Sequence, residues 1–183
     1  TEELSRRVVG RAPRFRSVAN ERARASAVFA SATRTRLDGR MRIGMLTSGG
    51  DAPGLNAVIR GAVLTGTTVH EHEYLGFRDG WKGLVENDTM TLGRHEVKGI
   101  SKQGGTILGT SRTNPFEGRG GVDRINEVMN ENGLDALIAI GGEGTLAAAK
   151  RLTDAGVRIV GVPKTVDNDL DATDYTFGFD TAV

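Results

Sequence analysis

Short apolar runs alternate with amphipathic stretches along this chain from Met41 onward. The apolar runs are followed by turns rich in glycine or acidic residues, which is typical of strands in an α/β sheet. The run at residues 135–140 shows no alternation of apolar and polar positions, as expected for a parallel strand that helices cover on both faces. The predicted strands are residues 42–47, 74–77, 105–109, 135–140 and 158–162.

Helical periodicity occupies the intervals between these strands. Residues 55–63 place their apolar side chains on one face of a helix. Further helices are predicted at residues 122–132 and in a stretch that ends at Ala155, with Gly133 and Gly156 closing them. Strands alternating with helices predict a doubly wound, mainly parallel sheet with helices on both faces, which is a Rossmann-like α/β fold.

Composition and length narrow the class of protein. The 183 residues allow one ordinary domain, which we assign to residues 41–183. Lys and Arg number 24 against 23 Asp and Glu, so the chain has no large net positive charge that would attract nucleic acid or a membrane surface. The lack of cysteine excludes a disulfide framework and a thiol nucleophile. No apolar run reaches the roughly 18 residues of a membrane span. Residues 179–183 resemble the start of another helix, so we expect the domain to be truncated there.

Residues 1–40 differ from the rest of the chain. They contain ten arginines and four acidic residues, with much alanine and serine and no clean period. A transit peptide has a similar composition. We interpret them as a disordered extension, or as upstream sequence ahead of a true start at Met41.

The first strand runs into a glycine-rich turn at residues 49–54, Gly-Gly-Asp-Ala-Pro-Gly. Its glycines allow close approach of a ligand, and the following helix N-terminus offers free N–H groups to an anion. The spacing is neither that of a Walker A motif nor that of the dinucleotide fingerprint. Such a turn is a plain connection about as often as a phosphate site.

A second glycine-rich turn, residues 141–145, encloses a carboxylate, Glu143. An acid beside phosphates is useful where it meets a bridging Mg²⁺. Alternatively, Glu143 is an acid favoured by the helix dipole, with Thr145 as a capping hydroxyl. The neighbouring polar strand ends favour a binding site.

The loop at residues 163–169, Pro-Lys-Thr-Val-Asp-Asn-Asp, follows an apolar strand. Asp167 and Asp169 suit one base and one electrostatic or metal-orienting carboxylate. Lys164 can neutralise a phosphoryl oxygen or hold an aspartate ionised. An Asx-turn explains the acids and Asn168, but not the lysine and threonine, so we favour a functional loop.

Other candidates are less specific. Arg112 is a possible phosphate clamp, although a single arginine is usually a solvated surface group. His70 and His72 are two residues apart and do not share a helix face, so we predict no histidine metal site.

Four motifs in this order resemble the N-terminal portion of the bacterial 6-phosphofructokinase family, in its mixed-substrate lineage. They are residues 48–57, residues 104–109, residues 140–145 and residues 163–169. The resemblance covers residues 41–183 and only about the first half of the family's chain. It implies Mg²⁺-dependent transfer of a phosphoryl group from ATP to the 1-hydroxyl of fructose 6-phosphate in a cytoplasmic glycolytic enzyme.

The resemblance also implies residue roles. Asp167 would be the base that takes the hydroxyl proton, with Thr165 and Val166 also holding the sugar. Asp169 would support the metal or the transition-state charge, and Glu143 would lie near the metal. The donor nucleotide would contact Gly50, Arg112, Thr113, Gly142, Glu143, Gly144 and Thr145.

This sequence departs from the common ATP-using pattern at two positions. Glu143 stands where that pattern has Asp, and Lys164 stands where it has Gly. A lysine at the position of Lys164 resembles the pyrophosphate-using and mixed-lineage members. In pyrophosphate users an aspartate stands at the position of Gly144 and fills the space of the nucleotide's phosphates, and Gly144 leaves that space open. We therefore expect ATP, with pyrophosphate as the alternative donor. Arg60 matches an effector-site arginine, but Leu64 replaces another, so the resemblance does not define the effectors.

Two further hypotheses stay open at this stage. In the first, the isolated chain is an inactive nucleotide-binding fragment, because the remaining sugar-phosphate contacts come from a second half of the protein and from a neighbouring subunit. The resemblance implies that the full-length protein is a homo-oligomer, a dimer or tetramer. In the second, the chain belongs to a different kind of kinase, one that acts on NAD or on a lipid and has a turn like residues 141–145. The loop at residues 163–169 argues against this hypothesis.

Overall fold

A single five-stranded sheet organises the computed structural model, which describes residues 39–169 and 173–182. The strand order is β3-β2-β1-β4-β5. Strands β1, β2, β4 and β5 are parallel, and β3 pairs antiparallel with β2 at one edge. Their bounds are β1 Arg42–Ser48, β2 Glu73–Phe77, β3 Thr89–Leu92, β4 Ala136–Gly141 and β5 Ile159–Pro163.

Five α-helices and one 3₁₀-helix accompany these strands in the described residues, and the last α-helix follows β5. The α-helices are α1 Leu55–Val69, α2 Trp81–Glu86, α3 Val122–Glu131, α4 Glu143–Asp154 and α5 Phe179–Ala182, and the 3₁₀-helix is Ile100–Lys102. The predicted helix at residues 55–63 is confirmed but continues to Val69. Gly133 and Gly156 both have positive φ, 61° and 90°, just past the ends of α3 and α4, as predicted for closing glycines.

Alternating side chains along the strands fill a hydrophobic layer on each face of the sheet. On β1, Met45 packs in the cluster that contains Ile59 of α1, whereas the next residue, Leu46, packs in the cluster that contains Leu152 of α4. Both clusters are made of fully or nearly fully buried residues. Helices therefore cover both faces, and the predicted doubly wound, mainly parallel fold is confirmed.

The strand predicted at residues 105–109 is wrong. This segment is a turn, in which Gly105 and Gly109 have φ values of 75° and 68° that a strand does not allow. Leu108 is buried at 1% exposure without belonging to the sheet. The third strand is instead Thr89–Leu92, which the sequence interpretation missed together with the short helix Trp81–Glu86.

The described residues belong to one unit, Thr35–Val183. The interpretation of residues 1–40 falls almost wholly outside the described residues. None of the helices in the described part of the chain is long and apolar enough to cross a membrane.

Candidate functional site

Three adjacent strands end level with one another at the carboxyl edge of the sheet. Ser48 of β1 pairs with Gly141 of β4, and Gly141 pairs with Pro163 of β5. The turns that follow these residues are the three polar turns of the sequence. They lie side by side, which is where open α/β sheets bind ligands.

The first cavity, of about 580 Å³, opens between the turn after β1 and the N-terminal half of α4. Its third side is the segment 111–116. The structure thus brings together all seven residues that the family resemblance assigned to donor binding. They are Gly50, Arg112, Thr113, Gly142, Glu143, Gly144 and Thr145.

The second cavity, of about 780 Å³, lies between α4 and the loop after β5. Thr165, Val166, Asp167 and Asp169 line it, so the residues assigned to sugar binding and catalysis also come together. Asp51, which the sequence analysis did not single out, lines the same space. Glu143 and Lys164 line both cavities, and the two spaces therefore adjoin at these side chains.

The N-terminus of α4 forms the boundary between the two cavities. Gly142 is the N-cap and has no side chain to satisfy the free N–H groups of the first turn, so these groups are available to an anionic ligand. At Gly141, a Cβ would lie 2.4 Å from Thr145 Oγ1 and 2.6 Å from the Ser48 carbonyl oxygen. At Gly144, by contrast, a Cβ would meet nothing within 4 Å.

Lys164 crosses from the end of β5 to the turn after β1. Its backbone N–H donates to the Gly141 carbonyl over 2.9 Å, and its ammonium group donates to the Gly50 carbonyl. The ammonium thus lies beside the glycine turn rather than in an ion pair with the loop aspartates. That position suits the predicted neutralisation of a phosphoryl oxygen, and it does not support the alternative of holding an aspartate ionised.

The loop after β5 presents its carboxylates to solvent. Asp167 and Asp169 are exposed, and between them Asn168 adopts a left-handed conformation with φ of 54°. The Asp167 N–H donates to Thr165 Oγ1 over 3.1 Å. Thr165 therefore shapes the loop locally as well as lining the second cavity.

The segment 104–113 is attached to the sheet by buried polar side chains. Asn56, at 2% exposure, donates to the carbonyls of Gln103 and Gly104 over 3.2 and 3.4 Å and accepts from the Ile107 N–H over 2.9 Å. Thr47, at 0% exposure, donates to the Gly109 carbonyl over 2.7 Å. These bonds satisfy a loop backbone that lacks strand partners.

Further bonds fix the same segment at the end of β1. The Gly49 N–H donates to the Ser111 carbonyl over 3.0 Å, and Ser48 Oγ donates to that carbonyl over 3.0 Å. Thr110 Oγ1 donates to the Gly49 carbonyl over 2.5 Å. Arg112, the next residue after Ser111, is thereby placed at the rim of the first cavity.

The far end of the first cavity contains a pair that the sequence analysis missed. The guanidinium carbon of Arg151 lies 3.9 Å from the ring centroid of Phe116, in cation–π contact. Arg151 is eight residues after Glu143 on α4, so the cavity extends roughly 12 Å along the helix. The helical spacing of Arg151 from Glu143 is a signal that the sequence contained, whereas nothing in the sequence pairs Arg151 with Phe116.

No group of three or more histidines and carboxylates that could hold a metal ion is found in the described residues. Mg²⁺ in phosphoryl-transfer sites is usually held by one or two carboxylates together with substrate phosphates. Glu143 and Asp169 both line the second cavity, and Glu143 also lines the first. Glu143 and Asp169 are therefore the candidate carboxylates for a Mg²⁺ ion that bound phosphates would help to hold.

Curated proteins similar to this chain include enzymes named for pyrophosphate and enzymes named for ATP as the phosphate donor. The chain is 62% identical over 143 residues to the pyrophosphate–fructose 6-phosphate 1-phosphotransferase of Amycolatopsis mediterranei, covering 78% of this chain and 42% of the relative. It is 61% identical over 143 residues to ATP-dependent 6-phosphofructokinase 3 of Streptomyces coelicolor, with the same shares covered. The chain therefore spans 42% of the length of these curated relatives.

A solved structure agrees with these sequence matches. The phosphofructokinase of Saccharomyces cerevisiae superposes with a TM-score of 0.68 at 30% identity, over 78% of this chain and 22% of that chain. A sequence model described as phosphofructokinase matches residues 42–183, which include all five strands and both cavities. The chain therefore belongs to the phosphofructokinase family.

Proposed function

We propose that the full-length protein carrying this sequence transfers a phosphoryl group from ATP to the 1-hydroxyl of fructose 6-phosphate, with Mg²⁺ bound. The observation that carries this proposal is the level ending of β1, β4 and β5, which sets an anion-binding helix N-terminus beside a loop with two exposed carboxylates. Phosphoryl transfer requires such positioning, together with positive charge around the phosphates and a carboxylate at the nucleophile.

The donor phosphates bind at the free N–H groups of the first turn of α4 and at the glycine turn after β1. Arg112 and Lys164 also line the first cavity and supply positive charge there. Glu143 and Asp169 are the carboxylates that would hold Mg²⁺, which would neutralise negative charge on the phosphates.

Asp167 acts on the sugar in the second cavity. Its carboxylate accepts the proton of the 1-hydroxyl as the hydroxyl oxygen forms a bond to the γ-phosphorus, and the bond from that phosphorus to the β–γ bridging oxygen breaks. ADP leaves with the bridging oxygen, and the sugar leaves as the 1,6-bisphosphate. Thr165 and Val166 line the same space and hold the sugar phosphate.

Two observations favour ATP as the donor. The space beside Gly144 is open, so nothing displaces a nucleotide's phosphate chain there. The first cavity also continues roughly 12 Å along α4 to Arg151 and Phe116. That extension suits the ribose and base of a nucleotide, for which pyrophosphate has no counterpart.

Pyrophosphate is the second candidate donor. Relatives above 60% identity carry the name of the pyrophosphate enzyme as well as that of the ATP enzyme. Lys164 favours pyrophosphate by its resemblance to that lineage, and its ammonium lies where a compact, highly charged donor would sit.

The test is a donor comparison on the purified full-length protein. With Mg²⁺ and fructose 6-phosphate fixed, kcat/KM is measured for ATP and for pyrophosphate by release of the sugar bisphosphate. We expect ATP to give the larger value. A larger value for pyrophosphate reverses the donor assignment, and no turnover with either donor rejects the activity.

Asp167→Asn tests the base in the same assay. We expect kcat to fall about 10³-fold with the donor KM almost unchanged, since general base catalysis contributes 10²–10⁴-fold. Asp123→Asn is a matched control, because Asp123 is an exposed first-turn acid of α3 outside both cavities. A kcat that is unchanged in Asp167→Asn removes the base assignment.

We propose further that the isolated 183 residues bind nucleotide without turning it over, and that the full-length protein is a homo-oligomer, a dimer or tetramer. The basis of the first statement is the 42% share of the relatives' length that the chain spans, and the second rests on the resemblance to a family of homo-oligomers. Calorimetric titration of the isolated chain with ATP, beside its turnover assay, tests the first statement, and light scattering of the full-length protein tests the second. Sugar-dependent ATP turnover by the isolated chain, or a monomeric full-length protein, contradicts them.

A further inference from the structure

Thr176 makes two hydrogen bonds that lie on either side of Asp167. Its hydroxyl donates to the Val166 carbonyl over 3.3 Å, and its backbone N–H donates to Asn168 Oδ1 over 3.0 Å. Val166 and Asn168 are the two chain neighbours of Asp167. A residue ten positions after Val166 thus holds the backbone immediately before the exposed carboxylate and the side chain of the residue immediately after it.

Thr176 is itself firmly placed. It is buried at 8% exposure, although most of its neighbours in residues 173–177 are exposed. After it, Phe177 packs so closely on Gly54 that a Cβ on that glycine would lie 2.8 Å from the phenylalanine Cβ. Gly178 similarly approaches Pro53, where a Cβ on Gly178 would lie 2.5 Å from Pro53 Cγ. The segment 173–178 is therefore held against the turn after β1.

A second anchor lies on the other side of Thr176. Tyr175 Oη donates to Asp180 over 2.5 Å, and this bond raises the pKa of Tyr175 above its ordinary value. The Tyr175 ring also meets Phe179 of α5 edge-on, with ring centroids 6.0 Å apart. Thr176 consequently joins the loop after β5 to a segment that is fixed both at the turn after β1 and at α5.

We propose that Thr176 is a positioning residue for Asp167, and that Asn168 is its partner in the loop. This inference rests on the proposed function, in which Asp167 is the base. The Asp167 side chain is exposed, so its aim depends on the backbone conformation of the loop. That conformation includes a left-handed residue, Asn168, whose side-chain oxygen is held by the Thr176 N–H.

A base that is displaced by about 1 Å can lose as much as 10²-fold in rate. Loss of the Thr176 bonds should therefore act on kcat and on the sugar KM, since Val166 also lines the sugar cavity. The donor KM should stay constant, because the donor residues belong to the first cavity and to other turns. A general loss of folded protein would lower kcat alone and leave both KM values unchanged.

The experiment uses four variants of the full-length protein. Thr176→Val removes the hydroxyl at nearly constant volume, and Thr176→Ser retains it. Asn168→Gly removes the acceptor while keeping a residue that tolerates positive φ. We expect Thr176→Val and Asn168→Gly to lower kcat about tenfold and to raise the sugar KM several-fold, and Thr176→Ser to recover most of kcat. Asp167→Asn is the reference for complete loss of the base.

Matched controls remove similar bonds away from the site. Thr67 Oγ1 donates to the Val63 carbonyl within α1 over 2.7 Å, so Thr67→Val removes a comparable hydroxyl bond. Asn87 has φ of 60° and accepts from Asn132 Nδ2 over 2.7 Å, so Asn87→Gly matches Asn168→Gly. Both controls should leave kcat and both KM values within about twofold, whatever they do to the urea unfolding midpoint.

The outcomes separate this inference from the proposed function. If Asp167→Asn loses activity but Thr176→Val keeps the kcat and sugar KM of the parent protein, the positioning role is wrong and the base assignment stands. Equal losses in Thr176→Val and Thr176→Ser, or a donor KM that rises as much as the sugar KM, also reject the positioning role. If Asp167→Asn remains fully active, the base assignment itself fails.

Discussion

The segment 104–113 and the loop 164–169 border the two cavities and are held in different ways. The first is bound by buried polar side chains of β1 and α1, chiefly Thr47 and Asn56. The second is bound at its start by the Lys164 N–H on Gly141 and further along by Thr176. One is therefore attached to the hydrophobic core, and the other to a surface segment that follows it in the chain.

This difference matches the roles proposed for the two regions. A donor site that is attached to the core is formed before the ligand arrives, and little has to be ordered on binding. The loop 164–169, proposed to be catalytic, keeps its carboxylates exposed and depends on few bonds, so small changes in its attachment should alter the rate. We therefore expect changes beside the first region to affect donor choice and stability, and changes in the second to affect kcat.

The largest effect that would test this contrast is expected from Gly144→Asp. The side chain enters open space, so the fold should tolerate it, while its charge would lie where we propose that the donor phosphates bind. We expect kcat/KM for ATP to fall about 100-fold, since like charges placed together cost several kcal/mol. Kinetics with both donors measure the effect, and pyrophosphate should lose less than ATP.

Two control variants separate the effect of filling the space at Gly144 from the effect of the added negative charge. Gly144→Ala adds only a Cβ in open space and should retain ATP activity. Gly144→Asn has the size of aspartate without its charge, so it separates filling of the space from repulsion. ATP turnover that survives Gly144→Asp would remove the donor argument based on this position.

An intermediate effect is expected from Asn56→Leu, which cuts the main attachment of the segment 104–113. The carbonyls of Gln103 and Gly104 and the N–H of Ile107 lose their partner, and unsatisfied buried groups cost about 1–3 kcal/mol each. We expect the free energy of unfolding in urea to fall by about 3 kcal/mol and the donor KM to rise several-fold.

The comparison for this variant is Asn132→Leu. Asn132 Nδ2 donates to the Val128 carbonyl over 2.8 Å at the end of α3, outside both cavities. That variant should lose stability and keep its donor KM. If Asn56→Leu also keeps its donor KM, the segment 104–113 does not depend on Asn56 for its shape.

The smallest effect is expected at Glu96, in the connection that leads to the segment 104–113. Its carboxylate accepts hydrogen bonds from its own N–H and from the Gly93 N–H, the latter over 2.8 Å, and these bonds lower the pKa of Glu96. Because the folded-state pKa is the lower one, this contribution to stability is present above the unfolded-state pKa. It is lost as the pH falls through the folded-state pKa.

Glu96→Gln should therefore be slightly less stable than the parent protein near neutral pH, and the difference should vanish in acid. Urea unfolding from about pH 7 down to about pH 3 measures it. The kinetic constants near pH 7 should not change, because Glu96 is outside both cavities. A difference that grows in acid would contradict the direction of the pKa shift.

Much of the fold follows from local sequence patterns. Apolar runs mark β4 and β5, and the glycines that close α3 and α4 have the positive φ that their positions require. The polar turns at the strand ends predicted the site, because parallel strands deliver their carboxyl ends to one edge of a sheet. Residues 105–109 were misassigned since an apolar Ile-Leu pair occurs in a turn as well as in a strand.

The parts that escaped the sequence depend on contacts between distant residues. The bonds of Asn56 span 47 to 51 positions, and nothing in the local pattern of Asn56 indicates its partners. Thr176 bonds the Val166 carbonyl, which any residue could supply, and the Asn168 side chain eight positions away, which no local pattern pairs with it. The contact of Arg151 with Phe116 likewise exists only once α4 is packed beside the segment 111–116.

Because β1, β4 and β5 end level with one another, the distance between the turns that follow β1 and β5 is set by the sheet. Hydrogen-bonded strands lie about 4.8 Å apart, so the ends of β1 and β5 are separated by two such steps, roughly 10 Å. The sheet therefore fixes the separation between the glycine turn and the proposed catalytic loop. Substitutions in the turns can exchange one phosphate donor for another while the span that the reacting groups must bridge stays the same.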